Sequence, residues 1–99
     1  MKTEININRI YDIVETALTE IIGSRPNATE RYLGLDSLDA LDIALRVEKE
    51  TGVSGIADNH SINHHEMTPL EIAIHLHEVA IKEMEKQSKL QEERKKLER

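Results

Sequence analysis

The sequence has 99 residues, of which 38% are apolar, and it contains neither phenylalanine nor tryptophan. It has no cysteine, so the polypeptide itself supplies no disulfide and no thiolate nucleophile. Its net charge of −6 argues against nucleic acid or an anionic membrane as a partner, because phosphate groups would repel an acidic surface.

The length and the residue types favour one small all-α domain. Isoleucine, leucine, valine, alanine and methionine must form its core, glycine and proline are scarce, and strand-like alternation is weak. The chain shows no charged leader followed by an apolar stretch, and no apolar run is long enough to span a bilayer. We therefore expect a cytoplasmic protein without membrane insertion.

The first predicted helix runs from about Asn8 to Ile22, with Asn6 or Asn8 as its cap. Gly23 ends it, and Pro26 prevents its continuation. Apolar residues recur at the spacing of one face of an α-helix: Ile10, Ile13, Val14, Ala17, Leu18 and Ile21. A long connection over residues 24–35 follows, and we expect three of its side chains to anchor it on the core: Tyr32, Leu33 and Leu35.

The second predicted helix begins at Asp36 or Ser37 and ends near Glu50, before Gly52. Asp36 can cap the helix while Asp39, three positions later, reaches back in a capping box. Both carboxylates also favour the positive end of the helix dipole. Serine is a common capping residue too, so the sequence "DSLD" can be explained by the start of a helix alone.

The last predicted helix begins at Thr68, with Pro69 at its first position and Glu71 closing a second capping box. Its apolar stripe comprises Leu70, Ile72, Ala73, Leu76, Val79 and Ala80. A short helix is predicted in the preceding loop, over residues 58–64. We place the domain boundary after residue 82, because residues 83–99 keep their helical propensity but lose the apolar face, as expected of a charged helical extension.

Three histidines lie in or near this loop: His60, His64 and His65. Zinc sites usually recruit three or four ligands with a structured surrounding shell, and cysteine is not available here. The pattern therefore favours exposed histidines that titrate near their ordinary pKa over a metal site.

The second predicted helix has more apolar circumference than a small bundle can bury. Ile43, Ala44 and Val47 form one stripe, and a second stripe, rotated away from it, comprises Leu38, Leu41 and Leu45. One of the two must stay exposed, and its acidic surroundings are Asp36, Asp39, Asp42 and Glu48. Exposed apolar patches of this kind usually contact a partner.

The stretch "LGLDSLDALDIALRVEKETGV", residues 33–53, resembles the signature of the acyl carrier proteins, in which Gly-x-Asp-Ser-Leu opens the second helix. The order and spacing of the predicted elements over residues 5–82 agree with that family. The resemblance implies a small acyl-carrier-like bundle of three main helices and one short helix, followed here by the helical extension.

The same resemblance implies that Ser37 carries 4′-phosphopantetheine, transferred from coenzyme A by a separate phosphopantetheinyl transferase. The arm would hold acyl groups as thioesters for fatty-acid, lipid or polyketide biosynthesis, and the domain would not itself be an enzyme. Six residues would then be recognised by acyl-transferring and chain-elongating enzymes with basic docking surfaces: Asp36, Leu38, Asp39, Leu41, Asp42 and Leu45. We expect a monomer, with a carried chain lying near Ile43, Val47, Ile62, Ile72 and Leu76.

The sequence also departs from the family pattern. Arg46 and Lys49 interrupt the acidic second helix, Thr51 replaces a bulky aromatic residue, and the following loop is longer. These changes argue against docking onto the general fatty-acid synthesis enzymes. The stretch "DSLDALDI" followed by "EKETGV" is closer to the specialised carriers, which include those serving very-long-chain acyl groups in lipid A. Two alternatives stay open: a carrier of aminoacyl or peptidyl groups, and a helical adaptor that never receives the arm.

Overall fold

The computed structural model describes residues 5–97, with side chains as far as Lys89. Within that range the chain forms three helices and no strand: α1 (Ile7–Ile22), α2 (Ser37–Thr51) and α3 (Pro69–Leu97). The predicted all-α class is therefore confirmed. None of the described helices has the length and apolarity needed to cross a membrane.

Local sequence chemistry sets the ends of α1. The Asn6 side chain accepts a hydrogen bond from the Arg9 amide at 2.8 Å, so Asn6 rather than Asn8 is the cap. Gly23 ends the helix with φ 89°, a left-handed conformation that glycine adopts without a steric penalty. Its N–H donates to the Thr19 carbonyl, which would otherwise lack a partner at the helix end.

The start of α3 is the predicted capping box. The Glu71 amide donates to the Thr68 hydroxyl at 3.1 Å, and the Thr68 amide donates to the Glu71 carboxylate at 3.0 Å. This arrangement lowers the pKa of Glu71, chiefly because the ionised carboxylate accepts the Thr68 backbone N–H. Beyond residue 82, Glu83 and Gln87 still contact the loop after α2, at Asn59 and Ser54 respectively.

The predicted short helix over residues 58–64 is not confirmed, because the chain forms turns there. Ser61 has φ 47°, in the left-handed region, which interrupts any right-handed helix at that point. The segment over residues 53–67 instead covers the core with the buried side chains of Val53, Ile56 and Ile62.

The core lies where α1 packs against both of the other helices, whereas α2 and α3 contact each other little. All three helices and both connections contribute buried apolar side chains: Ile10, Val14, Ala17, Leu18, Leu35, Ala40, Ile43, Ala44, Val47, Val53, Ile56, Ile62, Ile72, Ala73, Leu76, Val79 and Ala80. Ile13, Ile21 and Leu33 pack against this cluster while only partly buried.

Two expected core residues lie outside. Tyr32 is 77% exposed, so the prediction that it anchors the first connection is wrong. Its φ of 58° turns the backbone at that point, and Leu33 and Leu35 on the following residues supply the anchor. Leu70, in the first turn of α3, is 40% exposed, whereas Ile72 and Ala73 after it are fully buried.

Candidate functional site at the start of the second helix

Ser37 is the first residue of α2, and its side chain is exposed. The residue before it, Asp36, is the cap and accepts a hydrogen bond from the Asp39 amide at 2.8 Å. Asp39 in turn accepts the Asp36 amide at 3.1 Å, which completes the predicted capping box. The hydroxyl of Ser37 is thus not the group that starts the helix, and it lies open to solvent between two carboxylates.

One of the two apolar stripes of α2 is exposed, as the sequence indicates. Leu38 is 73% exposed, Leu45 45% and Leu41 37%. The other stripe, together with Ala40, is buried: Ile43, Ala44 and Val47. We call the three exposed residues, Leu38, Leu41 and Leu45, the leucine strip; it begins next to Ser37 and follows the helix axis for two turns.

The leucine strip ends at a shallow groove between the last turns of α2 and the loop that follows. Leu45, Lys49, Val53 and Ser54 contribute to its walls. The Ser54 side chain is itself fixed, because Gln87 donates to its hydroxyl at 2.8 Å. The apolar strip therefore runs from the acidic start of α2 to a region that carries both Glu48 and Lys49.

The acidic residues beside the strip differ in their surroundings. Asp36 is exposed, whereas Asp39 and Asp42 are half-buried. Arg46 lies 3.4 Å from the Asp42 carboxylate through its Nε atom, and it also forms an ion pair with Glu20 of α1. The arginine that interrupts the acidic pattern of α2 is therefore directed towards α1, and it partly neutralises Asp42.

The connection that leads into Ser37 is fixed at several points. The Leu70 amide donates to the Ala28 carbonyl at 3.1 Å, and Arg31 donates to both the Glu66 carbonyl and the Glu71 carboxylate at 3.0 Å. Sequence reasoning missed Arg31, because its partners lie 35 and 40 residues further along the chain. Gly34 then takes a φ of 75°, which turns the backbone three residues before Ser37.

The residues expected near a carried chain are all buried. Ile43, Val47, Ile62, Ile72 and Leu76 belong to the hydrophobic core. They come from α2, α3 and the connection between them, so the structure brings together residues that are far apart in sequence. In the described structure they pack together with the rest of that core.

The histidines of the loop are not equally exposed. His65 is exposed, but His60 and His64 are half-buried, which corrects the expectation that all three lie in solvent. Burial lowers the pKa of His60, and the neighbouring His75 and His64 lower it further. Within residues 5–89 no three histidine, aspartate or glutamate side chains lie close enough together to hold a metal ion.

The arrangement therefore offers an exposed hydroxyl for modification, an apolar strip for contact, and an acidic border that attracts basic groups. Comparison with known proteins does not identify the site, because no family model, no curated protein and no solved structure matches this chain.

Proposed function

We propose that the protein is an acyl carrier, modified on Ser37 with 4′-phosphopantetheine and carrying acyl groups as thioesters on that arm. The observation that carries this proposal is the exposure of Ser37 at the start of α2, while Asp36 and Asp39 form the cap. A hydroxyl used by the capping box would be costly to modify. Here esterification leaves both capping hydrogen bonds in place.

The reaction on Ser37 is a phosphoryl transfer from coenzyme A. The serine oxygen forms a bond to the phosphorus next to the pantetheine, and the bond to adenosine 3′,5′-bisphosphate breaks. A separate transferase takes up the serine proton. The product is a phosphodiester whose arm ends in a thiol, which is the nucleophile that the cysteine-free polypeptide lacks.

The position suits the product electrostatically in one respect and opposes it in another. A phosphodiester at the first residue of α2 lies at the positive end of the helix dipole, near amides that are not used within the helix. The carboxylates of Asp36 and Asp39 repel it. Since both are already tied to backbone amides by the capping box, their further role is to attract basic enzyme surfaces.

The leucine strip supports the same function, because a carrier must be recognised by several enzymes in turn. Three large apolar side chains exposed in a row, with acidic residues beside them, fit a partner that has an apolar surface surrounded by arginine or lysine. Such contacts are small, so they dissociate quickly enough for a shuttling carrier. The proposal also places the protein in the cytoplasm, where it would encounter coenzyme A and these enzymes.

Two alternatives share parts of this evidence. A carrier of aminoacyl or peptidyl groups would use the same serine with another cargo. A helical adaptor would use the leucine strip and leave Ser37 unmodified. The acidic residue at position 39 and the Gly-Leu-Asp approach to the serine favour the acyl class over the aminoacyl class.

The experiment is the intact mass of the protein after incubation with coenzyme A and a promiscuous phosphopantetheinyl transferase. We expect a gain of one 4′-phosphopantetheinyl group, which is lost in Ser37→Ala and kept in Ser24→Ala, an exposed serine outside the site. No gain with a transferase that modifies a control carrier would favour the adaptor. A gain that persists in Ser37→Ala would place the modification elsewhere and overturn the proposal.

The same assay tests the leucine strip. Leu38→Ala keeps the serine and the capping box, so we expect a lower initial rate of modification because the transferase loses an apolar contact. Leu70→Ala, at a leucine on α3 that is 40% exposed and lies outside the leucine strip, is the control and should retain the wild-type rate. Equal rates for all three proteins would remove the strip from transferase recognition.

A further inference from the structure

The segment over residues 53–67 fills the space between α2 and α3, which otherwise contact each other little. It does so with three apolar side chains, of which Ile56 is fully buried, Val53 is 5% exposed and Ile62 is 7% exposed. Polar contacts hold its first half: the Ala57 amide donates to Glu48 of α2, and the Asn59 side chain donates to Glu83 of α3. The second half depends on His60.

His60 is the acceptor in two hydrogen bonds, one through its ring and one through its backbone carbonyl. Its Nδ1 atom accepts the backbone N–H of Ile62 at 2.9 Å, so this nitrogen must be unprotonated. Its own carbonyl accepts a hydrogen bond from Nε2–H of His75 on α3. The His60 side chain thus forms a tight turn that places Ile62 in the core, and His75 fixes that turn to α3.

The backbone between these two residues is strained. Ser61 has φ 47°, a left-handed conformation that a residue with a Cβ atom rarely adopts unless its neighbours impose it. The constraints on either side of Ser61 are the Nδ1 bond of His60 and the burial of Ile62. Loss of the Nδ1 hydrogen bond therefore lets the backbone at Ser61 relax, and Ile62 is then held less firmly in the core.

We propose that His60 is a pH-sensitive latch that holds the 53–67 segment on the core, and that protonation of its Nδ1 atom releases Ile62. A proton on Nδ1 turns the acceptor into a donor that faces another donor, the Ile62 N–H. The hydrogen bond from His75 does not fail in the same way, because a protonated His75 still donates through Nε2. The latch works whether or not Ser37 is modified.

Several charged and titratable groups surround the segment, and those nearest to the His60 ring oppose its protonation while the segment is attached. The surrounding groups are His75 and Glu83 from α3, Glu48 from α2, Arg31 from the first connection, which donates to the Glu66 carbonyl, and His64 within the segment. The two that act on the His60 ring are His75 and His64, and both oppose a positive charge on it. Together with burial they lower the pKa of His60 below its ordinary 6.5.

The direction of the pH effect follows from that lowered pKa. When the segment detaches, His60 returns to its ordinary pKa, so the detached form binds a proton more tightly than the attached form. Attachment is therefore at full strength above about pH 6.5 and weakens as the pH falls from there towards the lowered pKa of the attached state.

The test is amide hydrogen exchange of Ile62 measured by NMR between pH 7.5 and 5 and corrected for the intrinsic pH dependence of exchange. We expect the protection of the Ile62 amide to fall by at most about tenfold for each unit by which the pKa of His60 in the attached state lies below its ordinary 6.5. The Ala73 amide in α3 should keep its protection. His60→Asn supplies a side-chain oxygen that accepts the same N–H but does not titrate, so its Ile62 protection should not change with pH.

His65→Asn removes an exposed histidine of the same segment and should behave as the wild type. Ile62 protection that stays constant with pH in the wild-type protein would overturn the proposal. So would the same loss of protection in His60→Asn as in the wild type, because the titrating group would then be another residue.

Discussion

Asp36 and Asp39 hold each other's backbone amides, at 2.8 and 3.1 Å, and Ser37 lies between them with its hydroxyl in solvent. The serine in "DSLD" is therefore not needed to begin the helix, although it is a residue type that often does so. This separation of roles gives a direct prediction for stability.

Asp36→Ala should destabilise the protein by about 1 kcal/mol, because it removes the side chain that accepts the Asp39 amide. Ser37→Ala should change the free energy of unfolding by less than about 0.5 kcal/mol, as expected of an exposed side chain outside the cap. Urea unfolding followed by circular dichroism measures both. A cost for Ser37→Ala equal to that of Asp36→Ala would mean that the hydroxyl has a structural role.

The two faces of α2 should differ sharply in what they contribute to stability. Ile43→Ala should cost about 2–5 kcal/mol, because Ile43 is fully buried and its truncation leaves a cavity. Leu38→Ala, five residues earlier on the same helix, should cost less than about 0.5 kcal/mol because Leu38 is 73% exposed. The same urea experiment compares them, and a large loss in Leu38→Ala would show that the leucine strip is covered.

Arg46 and Glu20 join α2 to α1 through an ion pair whose side chains are partly exposed. A double-mutant cycle with Glu20→Gln and Arg46→Gln should give a coupling energy of about 0.2–1 kcal/mol, since exposed ion pairs contribute little in water. The coupling should shrink when the cycle is repeated at about 1 M NaCl, where exposed charges are screened. Coupling that is unchanged in salt would contradict the assignment of this pair to the surface.

The capping box of α3 should make a pH-dependent contribution. Glu71 has a lowered pKa in the folded protein, chiefly because its carboxylate accepts the Thr68 backbone N–H, so its contribution is present above the ordinary pKa of 4.5 and is lost as the pH falls through the lower folded value. Glu71→Gln preserves an acceptor for the Thr68 amide but cannot titrate. The stability difference between the wild-type protein and Glu71→Gln should therefore decrease between about pH 5 and pH 3. A difference that stays constant over this range would show that Glu71 does not titrate differently in the folded state.

Features set by neighbouring residues could be predicted from the sequence. The caps at Asp36 and Thr68 and the left-handed glycines at positions 23 and 52 depend on contacts within four residues. The sequence also predicts that one of the two apolar stripes of α2 stays exposed, and only the resemblance to the acyl carrier proteins indicates that it is the leucine strip.

Features set by contacts between residues far apart in the chain could not be predicted from the sequence. Arg31 ties the first connection to residues 66 and 71, and the segment after α2 is shaped by a bond between His60 and His75. Tyr32 has a large aromatic side chain of the kind that often anchors a loop, but the backbone turn at that residue leaves its ring in solvent. No periodicity in the sequence reports a side chain that bonds to a carbonyl group 35 residues away.

The carrier function is tested most directly by site-resolved mass spectrometry of the protein purified from its native host. The proposal predicts 4′-phosphopantetheine on the peptide that contains Ser37, with an acyl group that hydroxylamine releases from a thioester. A Ser37 peptide that is recovered entirely without the arm from cells expressing the protein would contradict it.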